Sequence, residues 1–84
     1  MPVRTEATPN PNAVKFTVGV QVGGPRSYTP GDEVDHPVAG QLLALPGVAS
    51  VFMTADFVTV TKQPSADWSD IVPEAERILE HHFG

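Results

Sequence analysis

Between residues 14 and 22, Val14, Phe16, Val18, Val20 and Val22 alternate with Lys15, Thr17, Gly19 and Gln21. A period of two sends every second side chain to the same side of an extended chain. The segment therefore predicts a strand with one apolar face, which needs both a neighbouring strand and a covering layer. Upstream, Val3, Thr5 and Ala7 alternate with Arg4 and Glu6. Setting Ala7 opposite Val14 also sets Thr5 opposite Phe16, Val3 opposite Val18 and Glu6 opposite Lys15. A slip of one residue would turn Arg4 and Glu6 into the core, so burial selects the first register. The Glu6–Lys15 pair is expected to add about 0.2–1 kcal/mol.

This register makes residues 8–13, Thr-Pro-Asn-Pro-Asn-Ala, the hairpin connection. Pro9 and Pro11 fix φ and carry no N–H. Thr8 and Asn10 precede prolines and are held extended. Asn10 and Asn12 are suited to bond local backbone groups through their side chains. The loop is thus stiff before folding, which lowers its ordering cost. A stiff polar loop is a rigid hairpin connection, and it is also a surface that binds without first being ordered.

Further along, Gly23-Gly24-Pro25 predicts a break, and Arg26–Thr29 a short third strand. Pro37 suits a helix first turn, with Val38, Leu42 and Leu45 on one face, and Pro46-Gly47 ends that helix. Residues 48–62 predict a second hairpin. Pairing Met53 with Val58 places Val51, Met53, Val58 and Val60 on one side. Ser50, Phe52, Thr59 and Thr61 take the other, with Phe57 beside the turn. Ala55-Asp56 is not a favoured two-residue turn, and a four-residue loop in the same register is the alternative. The last helix falls within residues 65–84 and runs for about 17 residues, capped by Asp67, with an apolar repeat from Trp68 to Phe83 that Pro73 interrupts without ending. Trp68 is read as a buried anchor and His82 as partly buried. The fold class is α+β: a two-layer sandwich, ββ(β)αββα, with a mainly antiparallel sheet of four to five strands and two helices on one face. Residues 1–84 are read as a single domain, and the strand order in the sheet stays open.

Composition narrows the chemistry. At 40% hydrophobic residues the chain is ordinary for a globular fold. It contains no cysteine, which excludes disulfides, zinc–thiolate sites and cysteine-held clusters within these residues. The formal charge is −5, and the five basic residues Arg4, Lys15, Arg26, Lys62 and Arg77 are scattered. Nucleic-acid binding wants a basic stripe, so no nucleic-acid partner is expected. No stretch of 18 apolar residues appears, so no membrane partner is expected. A soluble, cytoplasmic protein is the expectation.

No nucleophile-elbow, phosphate-loop or dinucleotide motif is present. A small two-layer domain is also expected to lack a pocket of roughly 300 Å³ or more. The expectation is therefore a non-enzyme without catalytic residues, metal site or cofactor. Asp32, Glu33, Asp35 and His36 form an acidic loop that lacks calcium-loop spacing, leaving weak cation binding as a minor alternative. Phe52 and Phe57 lie away from the proposed core. Either they form an interface patch or the 23–35 loop or another strand covers them.

The strings TEATPNPNAVKF, HPVAGQLLALPGVASVF and DFVTVTK, followed by Trp68 and Pro73, resemble the N-terminal domain of Nfu/NifU-type iron–sulfur cluster scaffold proteins. The resemblance covers roughly residues 4–83. Where the family usually has Ser before Pro37, this chain has His36, and a Gly usual near Thr54 is missing. The resemblance implies a role in iron–sulfur cluster assembly, with iron ion binding as a family attribute. Relatives commonly continue into a domain whose C-x-x-C motif holds the cluster, and thiolates are the normal cluster ligands. A stand-alone chain without thiols is then an accessory or adaptor domain whose partners are C-x-x-C scaffold or client proteins. Thr8, Pro9, Asn10, Pro11, Asn12 and Lys15 match the signature loop and strand, and Asp56, Phe57 and Lys62 match the hairpin. Together with Phe52 these are the candidate partner-binding residues. The alternatives are a stand-alone interaction module outside that pathway and a weak metal-binding regulator.

Overall fold

A computed structural model describes residues 3–31 and 37–83. Its elements are β1 (Arg4–Ala7), β2 (Ala13–Thr17), β3 (Gly23–Tyr28), α1 (Pro37–Leu43), β4 (Val48–Ala55), β5 (Phe57–Lys62) and α2 (Trp68–Phe83). The five strands form one antiparallel sheet in the order β1-β2-β5-β4-β3. Both expected hairpin registers are observed: Ala7 faces Val14 and Glu6 faces Lys15 in the first, and Met53 faces Val58 in the second.

Burial explains why these registers hold. Phe16, Val51, Val58 and Val60 are fully buried on one side of the sheet, against Val38, Ala39 and Leu42 of α1 and Ala75 and Leu79 of α2. Each such side chain contributes about 1.5–3 kcal/mol relative to exposure, and a one-residue slip in β5 would forfeit Val58 and Val60 together. On the edge strand β1 the Thr5 hydroxyl reaches the Glu76 carboxylate and ties the sheet to α2.

The structure departs from the sequence expectations, or decides between them, at five places. First, β2 stops at Thr17, although the alternation runs on to Val22. Thr17 pairs with Phe57, the first residue of β5, so the partner strand ends there. Residues 18–22 cross the tip of the second hairpin instead: the Val18 N–H donates to the Asp56 carbonyl and the Val22 N–H to the Ala55 carbonyl, both at 2.8 Å. Val18 stays buried while Val20 is 41% exposed. Second, the glycine–proline break lies inside β3, which starts at Gly23 and carries a register shift before Arg26. Gly24 has φ +92, and a Cβ there would stand 2.2 Å from the Met53 carbonyl oxygen, so only glycine fits against β4. Third, of the two connections left open for the second hairpin, the two-residue turn at Ala55-Asp56 is the one observed, at the expected position and with Ala55 at φ 50. Fourth, Trp68 is half-buried rather than a fully buried anchor. Fifth, His82 is exposed at the end of α2 and meets the Phe83 ring edge-on at 4.7 Å. The acidic cluster Asp32, Glu33, Asp35 and His36 lies outside the described residues.

α2 begins as its sequence dictates. The Asp67 carboxylate accepts the Ser69 N–H at 2.9 Å, and the Asp67 carbonyl accepts the Asp70 N–H at 3.1 Å. Hydrogen bonds from the Ser69 backbone and side chain hold the Asp67 carboxyl below the usual carboxylate range, with a smaller push from the Lys62 charge. Pro73 lies within the helix without ending it.

Two outcomes are expected. Ala55→Gly relieves a left-handed residue, a cost of about 1–2 kcal/mol, and loses part of that gain to unfolded-chain entropy. The urea midpoint should rise by the equivalent of about 0.5–1 kcal/mol. Asp67 has a depressed folded pKa, so its stabilisation is present above the unfolded value of about 4 and is lost as pH falls through the folded value. Asp67→Asn keeps the capping acceptor but cannot titrate. The difference in stability between pH 7 and pH 3 should therefore be smaller in this variant, as urea denaturation at both pH values will read.

Candidate interaction surfaces

The 8–13 loop is ordered by its own side chains. The Thr8 hydroxyl lies 2.9 Å from the Asn10 carbonyl and 2.8 Å from the Ala13 carbonyl, sharing one proton between them. It also accepts the Asn10 N–H at 3.2 Å. The Asn12 N–H donates to Asn10 Oδ1 at 2.9 Å, and the Ala13 N–H to the Asn10 carbonyl at 3.0 Å. The Thr8 hydroxyl supplies a donor where Pro9 and Pro11 have none, and the Asn10 side chain supplies an acceptor for the Asn12 N–H.

A second set of contacts fixes this loop to the rest of the molecule. Lys62, the last residue of β5, donates through Nζ to Asn12 Oδ1 at 3.1 Å and to its neighbour's carbonyl, Gln63, at 3.4 Å. Its backbone N–H donates to the Asn12 carbonyl at 2.8 Å. The Trp68 indole N–H donates to the Pro11 carbonyl at 3.0 Å, and the Lys62 ammonium stands 5.9 Å from the Trp68 ring centre. Loop, β5 and the start of α2 thus meet at one junction. Pro9, Asn10 and Pro11 remain exposed on its outside.

The candidate residues do not form one site. Thr8 to Asn12 and Lys62 gather at this junction. Asp56 lies at the opposite end of β5, where its carbonyl is engaged by Val18. Lys15, Phe52 and Phe57 occupy the sheet face turned away from the helices. There the register runs Glu6, Lys15, Thr59, Phe52, Ser27 across all five strands. A neighbouring row sets Phe57 between Thr17 and Thr54. The Lys15 ammonium lies 4.5 Å from the Phe57 ring centre, and Phe52 is 38% exposed. Instead of pairing with Lys15, the Glu6 carboxylate lies 3.9 Å from the Arg4 guanidinium. Both helices pack on the other face, so among the described residues no helix covers the two phenylalanines, and Phe57 is half-buried.

Trp68 is the junction residue that the sequence reading did not place among the contacts. Its indole N–H was the available signal, since a partly buried tryptophan usually finds an acceptor. A cleft of about 500 Å³ between Pro46-Gly47 and the 65–70 segment was not expected either. It is an open groove between two loops rather than a hollow in the core, so it did not need the core volume that was thought lacking. Asp67 and Asp70 line it, and none of the candidate residues does. Among the described residues, no three His, Asp or Glu side chains gather to hold a metal ion, and no helix is long and apolar enough to cross a membrane.

A five-stranded antiparallel sheet under two helices, with one face left open and a proline–asparagine loop pinned at one end, defines a small α+β class. The solved structure of protein SAV1430 from Staphylococcus aureus has this form, with a TM-score of 0.80 at 31% identity, over 93% of this chain and 98% of that one. A NifU-like protein of Saccharomyces cerevisiae matches with a TM-score of 0.82 at 29% identity, over 94% of this chain and 75% of that one. Residues 3–84 match the model of the family described as scaffold protein Nfu/NifU N terminal, and the chain belongs to that family. The mitochondrial NFU1 iron-sulfur cluster scaffold homolog of Drosophila erecta is 41% identical over 85 residues, which cover 96% of this chain. The chain spans about 30% of the length of such relatives.

The junction predicts a graded response. Trp68→Phe keeps most of the apolar contact and removes the N–H donor to Pro11, at a cost of about 1 kcal/mol. Trp68→Ala should cost about 2–3 kcal/mol, below the range for a fully buried aromatic. Urea denaturation followed by circular dichroism measures both.

Proposed function

We propose that this chain is a non-catalytic adaptor domain in iron–sulfur cluster assembly that binds a cluster-carrying or client protein. The observation that carries this reading is the open sheet face, where the exposed Phe52 and the Lys15–Phe57 pair sit among threonines with no helix over them. Exposed aromatic side chains are enriched at the centres of interfaces. The chain has no cysteine, so thiolate ligation of a cluster falls to residues other than these 84. The family membership supports the pathway.

The junction loop supplies a second, rigid contact region. It needs no ordering on binding, so the association cost is reduced there. Lys62 and Asn12 act within it chiefly by holding Pro9, Asn10 and Pro11 in place.

An isotope-labelled sample titrated with a purified cluster-loaded C-x-x-C scaffold domain tests the reading. Amide shifts are expected to move in β2, β4 and β5 on the open face, and to be reduced in Phe52→Ser. Unmoved spectra up to millimolar concentrations, with both the scaffold and apo client proteins, would remove the adaptor role and favour an interaction module outside this pathway.

A further inference from the structure

The charges of this molecule are unevenly placed. The chain carries a formal −5, yet the open sheet face holds Arg4 and Lys15 against Glu6 alone. On the other layer, α2 carries Asp70, Glu74, Glu76 and Glu80 against Arg77. Among the described residues, the open face is therefore the side where a negative partner meets least repulsion, and α2 is the side where it meets most.

Within that face Lys15 is central. It lies in the second strand of the row, with Glu6 on one side and Thr59 on the other. Glu6 is turned to Arg4, so Lys15 has no ion-pair partner among the described residues. Its ammonium is held over the Phe57 ring, two residues along β5 from its direct neighbour, as diagonal cross-strand contacts allow. A cation positioned by an aromatic ring and flanked by hydroxyls lacks only an anion. Phe52, directly opposite Thr59 in β4, adds an exposed ring beside it.

We infer that the open sheet face docks an acidic segment of a partner protein, one that places a carboxylate on Lys15 and leucine- or phenylalanine-like side chains against Phe52 and Phe57. The inference rests on the reading of this face as a partner-binding surface and adds the chemistry of what it takes. The carboxylate pairs with a cation already fixed in position, so little side-chain entropy is lost. The acidic α2 face opposes the wrong orientation, which gives selectivity.

A displayed library of random twelve-residue peptides, selected on the full chain, tests this without knowledge of the natural partner. Enriched sequences should carry Asp or Glu beside Leu or Phe. A synthetic peptide of the enriched sequence should lose about tenfold in affinity on Lys15→Met and on Phe52→Ser, and its binding should weaken as salt rises. Lys15→Met keeps the aliphatic stem, and circular dichroism should show both variants folded. Should a variant fail to fold, amide shifts of the wild-type chain with the same peptide locate the contact. Shifts in Lys15, Phe52 and Phe57 support the docking site, and shifts elsewhere overturn it. Enrichment of basic or uncharged peptides, affinity unchanged in both variants, or no enrichment at all would each overturn the inference. The scaffold titration separates the two proposals. If the scaffold moves only the amides of residues 8–13 and no acidic peptides are enriched, the adaptor role stands and this inference falls. Acidic peptides on Lys15 with no response to any scaffold or client would leave the docking chemistry and remove the pathway.

Discussion

The two-sidedness of β2, β5 and β4 governs everything else in this structure. Phe16, Val58, Val60, Val51 and Met53 are buried on one side, and Lys15, Phe57, Thr59 and Phe52 stand on the other. Because side chains alternate strictly, burying the first set fixes where the second set goes. The helices need cover only one layer, and the described residues supply two of them. The apolar core thus stabilises the fold and at the same time determines which residues remain available on the open face.

The sequence made much of this legible, for a local reason. Where one strand follows another through a short connection, the pattern of burial admits a single register. That is why both hairpins, with Ala7 opposite Val14 and Met53 opposite Val58, could be read before any coordinates. The cap at Asp67 was legible for the same reason, since its bond to Ser69 spans two residues. The order of strands depends on contacts between distant segments and was not legible. β2 pairs with β5 across forty residues or more, and nothing local to either strand encodes that choice. The overlong reading of β2 has the same origin. Alternation reports the faces of a strand, whereas its length is set by the partner, and β5 begins only at Phe57.

The candidate residues were partly separable in the same way. Family resemblance gathered Thr8 to Asn12, Asp56, Phe57 and Lys62 into one set, but the fold distributes them over two ends and one face. β5 has Phe57 at one terminus and Lys62 at the other, roughly 17 Å apart at the rise of an extended chain. Lys62 entered that set by its match to the family's hairpin motif. Its bonds to Asn12 and its position near Trp68 make it a fastening between the first hairpin and the last helix. Lysine is chosen there because a long stem with a multi-donor head reaches both an amide oxygen and a ring.

Trp68 is the chain's one tryptophan, and it sits where the proline–asparagine loop, β5 and α2 converge. Its ring is only half-covered, and its N–H is committed to a loop carbonyl. The molecule therefore contains a built-in optical reporter of that corner. Emission colour and intensity would register displacement of the loop while staying blind to events on the distant hairpin tip, allowing the two regions to be followed independently without attaching a dye.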